Sequence, residues 1–462
     1  MSLLTGIEDV PFRPMCNMGC LLDIPTGSYV TGVHGESILN GGLGLVTAVA
    51  GRGNSFKTVI SLFFLLTLLD RYIKTQALVY ETEMSLTYLR IHTLAMQFLR
   101  LASLDLKDAD RLLLTDRTLY SGEKYYELLK SIAAKKNENK KEYTYTTPFV
   151  DKDGKNVKML IPTATMIDSF SQFVTNSVIK MQEKGEIGSS DRNTEGLRDA
   201  HAKNQLIVEL PTFTASNGVY VVLTVHAGDD LQLDPYAPSK KKLAFMKNGI
   251  KLKNIPEKLT FLSANLWIVV STSVLHNKDK LPEYPKHAQD DLVGDTDLML
   301  ITMTNTRGKS GGSGLPVELV VSQSEGVKVG LSEYHYIKTN DKFGIGGDDR
   351  NFYLDFYPDV KLTRKNIRGK IESDPLLKRA LEITSELCQL FNYHTNVPHK
   401  LLCTPKTLFE DLRTRGFDTN ALLNTRGYWL PEGETSKEAL PFLSTLDLLR
   451  MREGTYVPYW MA

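Results

Sequence analysis

The sequence predicts an α/β fold in which helices cover both faces of a mostly parallel sheet. Apolar segments of strand length alternate with helical segments as far as Val321, and that alternation is typical of a parallel sheet. The most apolar strand is followed by a glycine-rich turn and an apolar helix, within Leu45–Leu69. With 462 residues, the chain is long enough for one large domain with appendages or for two or three smaller domains.

Each predicted element follows from the spacing of its apolar residues. The predicted strands are Leu45–Ala50, Ala77–Tyr80, a strand ending at Asp168, Gly218–Val225 and Leu266–Thr272, and a hairpin joins Met299–Thr304 to Val317–Val321. The predicted helices are Lys57–Leu69, Leu86–Leu104, Phe170–Met181, Pro375–Leu390 and Lys406–Arg415.

Changes in composition divide the chain into three parts. Residues 1–34 form an N-terminal arm, a candidate for docking on a neighbouring copy of the chain. Residues 35–340 form the α/β core, with a hairpin insertion near 135–160 around Asp153-Gly154, a turn dipeptide. Residues 341–462 form a smaller C-terminal domain that is α or α/β.

Composition and charge favour a reduced, non-membrane location. The longest apolar run is Val59–Leu69, eleven residues where a membrane span needs ~20. The first residues lack the basic and then apolar pattern of a secretion leader, and the four cysteines lack zinc-site spacing. We therefore expect a cytoplasmic protein. The net charge of only +1 means that a surface for a polyanion has to be local.

The turn after the first strand has the features of a phosphate-binding loop. Such a loop needs backbone N–H groups at a helix start, a lysine for the phosphate oxygens and a hydroxyl for Mg²⁺. If the turn were merely structural, its lysine would lie unpaired at a positive helix terminus. We therefore expect ATP and Mg²⁺ to bind here, although Phe56 replaces the usual glycine. The expected nucleotide-binding residues are Gly51, Arg52, Gly53, Asn54, Ser55, Phe56, Lys57 and Thr58.

Polar side chains at other strand ends are expected at the same sheet edge, since ligands of open α/β sheets bind where strands end. Glu83 is the candidate for polarising the attacking water, and Asp168 is expected to hold Mg²⁺ together with Thr58. His226 ends a later strand and is the candidate sensor of the γ-phosphate. Taken singly, each residue is also compatible with an ordinary solvated strand end.

Two polar segments are the predicted DNA-contacting loops. The first, residues 184–205, contains Arg192, Arg198 and Lys203. The second, residues 227–258, carries a local charge of +6 between Ser239 and Lys258, because seven lysines oppose one glutamate. Basic residues around an apolar side chain suit phosphate neutralisation with base stacking, although a solvated loop has the same composition. The expected DNA contacts of this second loop are Lys240, Lys241, Lys242, Phe245 and Lys247.

The turn Asn305–Gly314 contains the cations Arg307 and Lys309. They are candidates for stabilising phosphoryl-transfer charge in a neighbouring subunit, as arginine fingers do. An ordinary hairpin tip would have the same composition.

In order and spacing these motifs resemble the RecA-family recombinases, most closely the UvsX-like recombinases of bacteriophages. The resemblance rests on Gly35–Lys57, Glu81-Thr-Glu83, Gly185–Gly188, Val225-His226 and Phe261–Trp267. It implies a RecA-like P-loop ATPase core with Glu83 as the catalytic glutamate. It also implies an ATP-dependent filament of this chain on single-stranded DNA, pairing with double-stranded DNA, and a single-strand-binding protein or mediator as a further partner.

Two other functions are compatible with the same motifs. A DnaB-like hexameric helicase uses the same core, although it normally has an additional N-terminal domain. A RecA-like ATP-binding regulator would keep the fold without motor activity. Ring-shaped particles would favour the helicase, and undetectable ATP hydrolysis would favour the regulator.

Overall fold

The computed structural model describes residues 12–184, 194–229, 244–246, 250–309, 312–393, 396–433 and 439–461. Within these ranges the strands are β1 (Ser28–Thr31), β2 (Ser37–Asn40), β3 (Val46–Gly51), β4 (Gln76–Glu81), β5 (Leu112–Asp116), β6 (Thr144–Val150), β7 (Asn156–Leu160), β8 (Thr163–Asp168), β9 (Val219–Asp229), β10 (Ile250–Leu252), β11 (Asn265–Val274), β12 (Leu298–Gly308), β13 (Pro316–Ser322), β14 (Gly326–Val327), β15 (Ile345–Gly347), β16 (Phe352–Leu354) and β17 (Tyr357–Leu362).

The α-helices of the same ranges are α1 (Asp23–Thr26), α2 (Lys57–Arg71), α3 (Tyr88–Ala95), α4 (Gly122–Glu138), α5 (Asn176–Lys184), α6 (Glu195–Asn217), α7 (Leu259–Leu262), α8 (Val329–Thr339), α9 (Ile367–Ser373), α10 (Pro375–Asn392), α11 (Pro405–Thr414), α12 (Thr419–Leu423) and α13 (Thr445–Glu453). Short 3-10 turns lie at Phe170–Gln172, Ala288–Asp290 and His399–Leu401. No described helix is both long and apolar enough to cross a membrane.

A large mixed sheet organises the chain. Its strand order is β14-β13-β12-β11-β3-β9-β8-β4-β5, and β10 pairs with the end of β9. The six strands from β11 to β5 run parallel to one another, whereas β12, β13 and β14 continue the sheet in antiparallel pairs. The predicted α/β fold with a mostly parallel central sheet is therefore confirmed.

Apolar side chains cover both faces of this sheet. Along β3, Val49 packs into the core on the side of α2 and α3, while Ala48 and Ala50 pack on the side of α6 and α7. Alternating side chains of a strand point to opposite faces. Because both faces are buried, every residue of β3 and β8 is buried, which explains the continuous apolar runs in the sequence.

The predicted insertion is a hairpin of β6 and β7, with Gly154 in its turn at a φ of 74°. The segment around Trp429 holds it to the core. The Trp429 ring packs against Phe149 of β6 and against Tyr72 beyond α2, and its Nε1 donates to the carbonyl oxygen of Met15. Residues from distant parts of the sequence thus share one core cluster.

The last third of the chain packs around α8 and α10. Its apolar cluster contains side chains from every helix between α8 and α13. Residues from elsewhere pack into the same cluster, among them Ile24 and Leu39 from the first part of the chain, and Val320 from β13. Within the N-terminal arm, Cys16 and Cys20 are fully buried against this chain's own core. The docking role proposed for this arm stays a prediction, and residues 1–11 lie outside the described ranges.

Three sequence predictions need correction. The helix predicted over Phe170–Met181 is interrupted: a 3-10 turn covers Phe170–Gln172, Phe173 is extended, and α5 begins only at Asn176. The helix predicted over Leu86–Leu104 ends at Ala95, and turns follow it. The helical spacing of apolar residues continues past Ala95 in the sequence because Leu101, in the turns after the helix, is also buried in the core beside α2. The predicted loop 184–205 is helical from Glu195 onward, as the start of α6.

Candidate functional site

The register of the parallel strands brings the predicted strand ends to one edge of the sheet. Gly51 at the end of β3 pairs with His226 on β9, and Glu81 at the end of β4 pairs with Asp168 at the end of β8. Since β9 and β8 are neighbours, the four ends form a row. We call this row the carboxyl edge.

The loop from β3 to α2 leaves backbone N–H groups available at the start of α2. The first N–H groups of a helix have no partner within the helix, and the cap residue Phe56 offers no side-chain acceptor. Phe56 has a φ of 61°, in the left-handed region, and its ring packs against the core on the α2 face. This conformation is the one that favours glycine at such a position.

Lys57 is held inside the loop by local acceptors. Its Nζ donates to the carbonyl oxygen of Arg52 at 2.7 Å and lies 3.5 Å from Ser55 Oγ. Burial lowers the pKa of Lys57, whereas the carboxylates of Asp168 and Glu83 counteract this shift. Its ammonium is therefore directed into the loop, close to two acidic side chains.

Asp168 is held between two threonine hydroxyls. Thr58 Oγ1 donates to its Oδ2 at 2.7 Å, and Thr224 Oγ1 on β9 donates to its Oδ1. Burial raises the pKa of Asp168, and these two hydrogen bonds act in the opposite direction. Thr58 and Asp168 were both predicted as magnesium ligands, and they are direct neighbours.

Glu81 shapes the turn that carries Glu83. Its carboxylate is buried and accepts hydrogen bonds from the backbone N–H of Glu83 at 3.1 Å and of Ser85 at 3.2 Å. The next residue, Thr82, accepts a hydrogen bond from the backbone N–H of Ser169 at 2.7 Å. Glu83 is thereby fixed relative to the end of β8.

Glu83 and His226 are in direct contact. Glu83 Oε1 lies 2.8 Å from His226 Nε2, and the two side chains are 42% and 29% exposed, so both are accessible from solvent. The predicted water-polarising group and the predicted sensor therefore form a pair across the carboxyl edge.

The two ends of the second predicted DNA-contacting loop pair with each other as antiparallel strands. β9 continues past His226 to Asp229, and β10 returns antiparallel to it. Phe245 is 52% exposed, and its ring lies against Gly314 so closely that a Cβ on Gly314 would be 2.4 Å from it. Lys240, Lys241, Lys242 and Lys247 lie outside the described residues.

The basic residues of the first predicted loop are in different environments. Arg198 is exposed on the second turn of α6. Lys203 has a side chain only 2% exposed, and its ammonium is bound by acceptors within the chain. Because its ammonium is buried and paired within the chain, we withdraw Lys203 as a DNA contact. Its burial could not be recognised from composition alone. Arg192 lies outside the described ranges.

Arg307 and Lys309 lie at the opposite edge of the sheet. β12 runs antiparallel to β11, so Arg307 and Gly308 pair with the first residues of β11, beside Thr47 at the start of β3. Arg307 Nε is buried without a hydrogen-bond partner among the described residues, and Lys309 is exposed. These cations are therefore remote from the β3–α2 loop of their own chain.

Sequence reasoning missed two contributors to the site, Thr224 and Thr82. A signal for Thr224 was present, because it is the one polar residue in the run Val219–Val225 and lies two residues before His226. No comparable signal pointed to Thr82. In the described ranges, no group of three or more His, Cys, Asp or Glu side chains could hold a metal ion by itself.

Comparison with protein-family models finds no matching family, and comparison with curated proteins finds no significant match.

Proposed function

We propose that this chain is a DNA-dependent ATPase of the recombinase type, which binds single-stranded DNA together with copies of itself. The observation that carries the proposal is the row of strand ends at the carboxyl edge, which brings Lys57, Thr58, Asp168, Glu83 and His226 together. A strand, a glycine-containing turn and a helix start beside acidic strand ends suit a nucleoside triphosphate.

The phosphates would bind at the start of α2. Its free N–H groups and the positive end of the helix dipole favour an anion there. Lys57 would exchange its bond to the carbonyl oxygen of Arg52 for charge-assisted bonds to the phosphate oxygens.

The donor set also fits Mg²⁺ with ATP. Mg²⁺ prefers oxygen ligands, keeps several waters and is held by few protein groups together with phosphates. Thr58 and Asp168 offer a hydroxyl and a carboxylate that already lie 2.7 Å apart. When bound, Mg²⁺ would neutralise charge that develops on the phosphates.

Glu83 is suited to orient the attacking water and to accept its proton. The turn held by Glu81 and Thr82 fixes the backbone around Glu83, while contact with His226 occupies its carboxylate. A γ-phosphate that attracts His226 would weaken this contact and free Glu83 for water. Because His226 lies on the strand that leads into the β9–β10 hairpin, the same change would reach the second predicted DNA-contacting loop.

Single-stranded DNA as the partner, and recombination as the process, are supported by the resemblance of the motif order to RecA-family recombinases. Assembly with other copies is supported by Arg307 and Lys309, which lie at the sheet edge opposite the phosphate loop. In a filament or a ring, those cations would reach the ATP of the adjacent subunit.

The assembly is tested by electron microscopy with single-stranded DNA and a slowly hydrolysed ATP analogue, together with an assay of homologous pairing. We expect helical filaments and pairing activity, with ATP hydrolysis that rises when DNA is added. Rings that unwind forked DNA would favour a hexameric helicase. Undetectable hydrolysis with and without DNA would favour an ATP-binding regulator.

The sharing of one ATP site by two copies is tested by mixing two inactive variants. Lys57→Ala removes the phosphate-loop cation, and Arg307→Ala combined with Lys309→Ala removes the cations offered to the neighbour. We expect the mixture to regain hydrolysis that neither variant has alone, because some interfaces then combine two intact halves. A mixture that stays inactive would contradict the shared site.

A further inference from the structure

Lys203 lies in a buried hydrogen-bonded cluster next to the carboxyl edge. Its Nζ donates to the carbonyl oxygens of Ser171 at 3.1 Å and Asn254 at 3.2 Å. It also pairs with Asp199, one helical turn earlier on α6, at 2.8 Å. A buried ammonium needs all of its donors paired, and Lys203 has three acceptors.

Ser171 extends this cluster to the sensor histidine. Its Oγ accepts a hydrogen bond from the backbone N–H of His226 at 2.9 Å and donates to the carbonyl oxygen of Lys253 at 3.0 Å. The backbone N–H of Lys253 in turn donates to the carbonyl oxygen of His226 at 2.8 Å. We call Lys203, Ser171, Lys253 and Asn254 the lysine cluster.

The lysine cluster joins segments that lead to both predicted DNA-contacting loops. α6 begins at Glu195, immediately after the part of the first loop that lies outside the described residues. Lys253 and Asn254 follow β10, on the return from the second loop. Ser171 is three residues beyond Asp168 in the chain.

We propose that Lys203 is a positioning residue that couples both loops to Asp168 and His226. This inference rests on the proposed function. If α6 or the Lys253–Asn254 segment moved separately, a buried donor or acceptor would be left unpaired, which is costly. These hydrogen bonds therefore favour movement of the connected segments together, so DNA at either loop would shift the backbone at Asp168 and His226.

Lys136 provides a matched control within the same fold. It is also buried, and its Nζ donates to the carbonyl oxygen of Asn217 at 2.7 Å and to Thr163 Oγ1 at 3.2 Å. Asn217 and Thr163 lie at the far end of α6 and at the start of β8, away from the carboxyl edge. Burial lowers the pKa of Lys136 to about 7. Loss of Lys136 would thus remove a second buried lysine without touching the lysine cluster.

The experiment measures ATP hydrolysis by Lys203→Met, Ser171→Ala and Lys136→Met, with and without an oligothymidylate strand. We expect Lys203→Met to keep the DNA-independent kcat and the KM for ATP within about twofold, while DNA stimulation falls about tenfold, a typical size for coupling between sites. Ser171→Ala should act in the same direction, and the double variant should lose little more, because the two residues share one cluster.

Lys136→Met should keep its stimulation by DNA whatever thermal stability it loses, which separates coupling from general destabilisation. Full stimulation in both Lys203→Met and Ser171→Ala would overturn the inference, as would an equal loss in Lys136→Met. If Lys203→Met does not fold, Ser171→Ala decides alone. A wild-type chain that DNA does not stimulate would overturn the proposed function and this inference with it.

Discussion

Phe56 occupies a backbone conformation that side chains disfavour, at the position where phosphate loops ordinarily have glycine. Its φ of 61° costs about 1–2 kcal/mol for a residue with a Cβ. Packing of the ring against the core offsets part of this cost. The backbone N–H groups that would face the phosphates do not depend on the side chain. The departure from the usual glycine is therefore compatible with phosphate binding.

We predict that Phe56→Gly changes the free energy of unfolding by less than about 1 kcal/mol, because relief of strain compensates for lost packing. Phe56→Ala should be less stable than Phe56→Gly by about 1 kcal/mol, since alanine loses the packing and keeps the strain. Chemical denaturation measures both values. An alanine variant as stable as the glycine variant would contradict the left-handed conformation.

The contact between Glu83 and His226 predicts two distinct kinetic effects. Glu83→Gln should bind ATP normally and hydrolyse it at least about 100-fold more slowly, because the amide cannot accept a proton. His226→Ala should keep DNA-independent hydrolysis and lose its stimulation by single-stranded DNA. Steady-state hydrolysis at saturating ATP, with and without DNA, measures both. Full stimulation in His226→Ala would leave His226 an ordinary strand-end residue.

At the scale of elements, the β9–β10 hairpin predicts two kinds of DNA contact. The salt dependence is the slope of the logarithm of the binding constant against the logarithm of the salt concentration. Replacing Lys240, Lys241 and Lys242 by alanine should make this slope shallower by up to roughly 2, since each phosphate contact on a single strand contributes ~0.7. Phe245→Ala should weaken binding by about 1–3 kcal/mol with the salt dependence unchanged, because stacking carries no net charge. Fluorescence anisotropy across a salt series measures both effects.

Both variants should keep their DNA-independent ATP hydrolysis, because neither alters the phosphate loop. Unchanged affinity and salt dependence in the triple variant would mean that these lysines belong to a solvated loop. Phe245 has a second outcome, since its ring packs against Gly314. A loss of stability without a loss of DNA affinity would show that the ring serves the fold alone.

The buried elements of the core could be predicted from the sequence. β3, β8 and β9 are buried on both faces, which gives continuous apolar runs such as Val219–Val225. The strand ends could be predicted for the same reason, because a polar residue after a buried run marks the point where the chain leaves the core. For this reason the sequence also predicts that Glu83, Asp168 and His226 lie at the carboxyl edge.

Other features depend on contacts that the sequence does not contain. Leu101 lies in the turns that follow α3, but it is buried in the core like the apolar residues of the helix. The apolar spacing therefore continues beyond Ala95, and the predicted helix was too long. Lys203 lies in a segment of loop-like composition, and its three acceptors come from α6, from the turn after β8 and from beyond β10. Charge composition counts such a lysine without showing where it points.

At the scale of the whole molecule, the packing of the C-terminal helices predicts a dependence of stability on pH. Glu333 of α8 is buried, and no described residue hydrogen-bonds to its Oε2. Burial raises the pKa of Glu333 well above its ordinary 4.5, and the neighbouring Glu382 and Glu386 carboxylates act in the same direction. The folded chain therefore binds a proton that the unfolded chain releases above about pH 4.5.

This proton stabilises the folded state fully below the unfolded pKa, and the stabilisation is lost as the pH rises toward the folded pKa. Glu333→Gln should remove this component, so its stability relative to the wild type should increase as the pH rises above about 4.5. Urea unfolding at a series of pH values measures it, with Glu410→Gln, on the exposed surface of α11, as the control. Identical slopes in the wild type and Glu333→Gln would contradict this prediction.

Binding of ATP at the carboxyl edge is tested most directly by isothermal titration of Mg²⁺–ATP into the wild type, Lys57→Ala and Lys124→Ala. Lys124 is the matched control, because it lies exposed in the first turn of α4, whereas Lys57 starts α2 beside Asp168. We expect the wild type and Lys124→Ala to bind one ATP per chain with equal affinity. Lys57→Ala should bind it about 100-fold more weakly, through loss of charge-assisted bonds to phosphate. Equal affinity in all three chains would contradict the assignment of this edge as the ATP site.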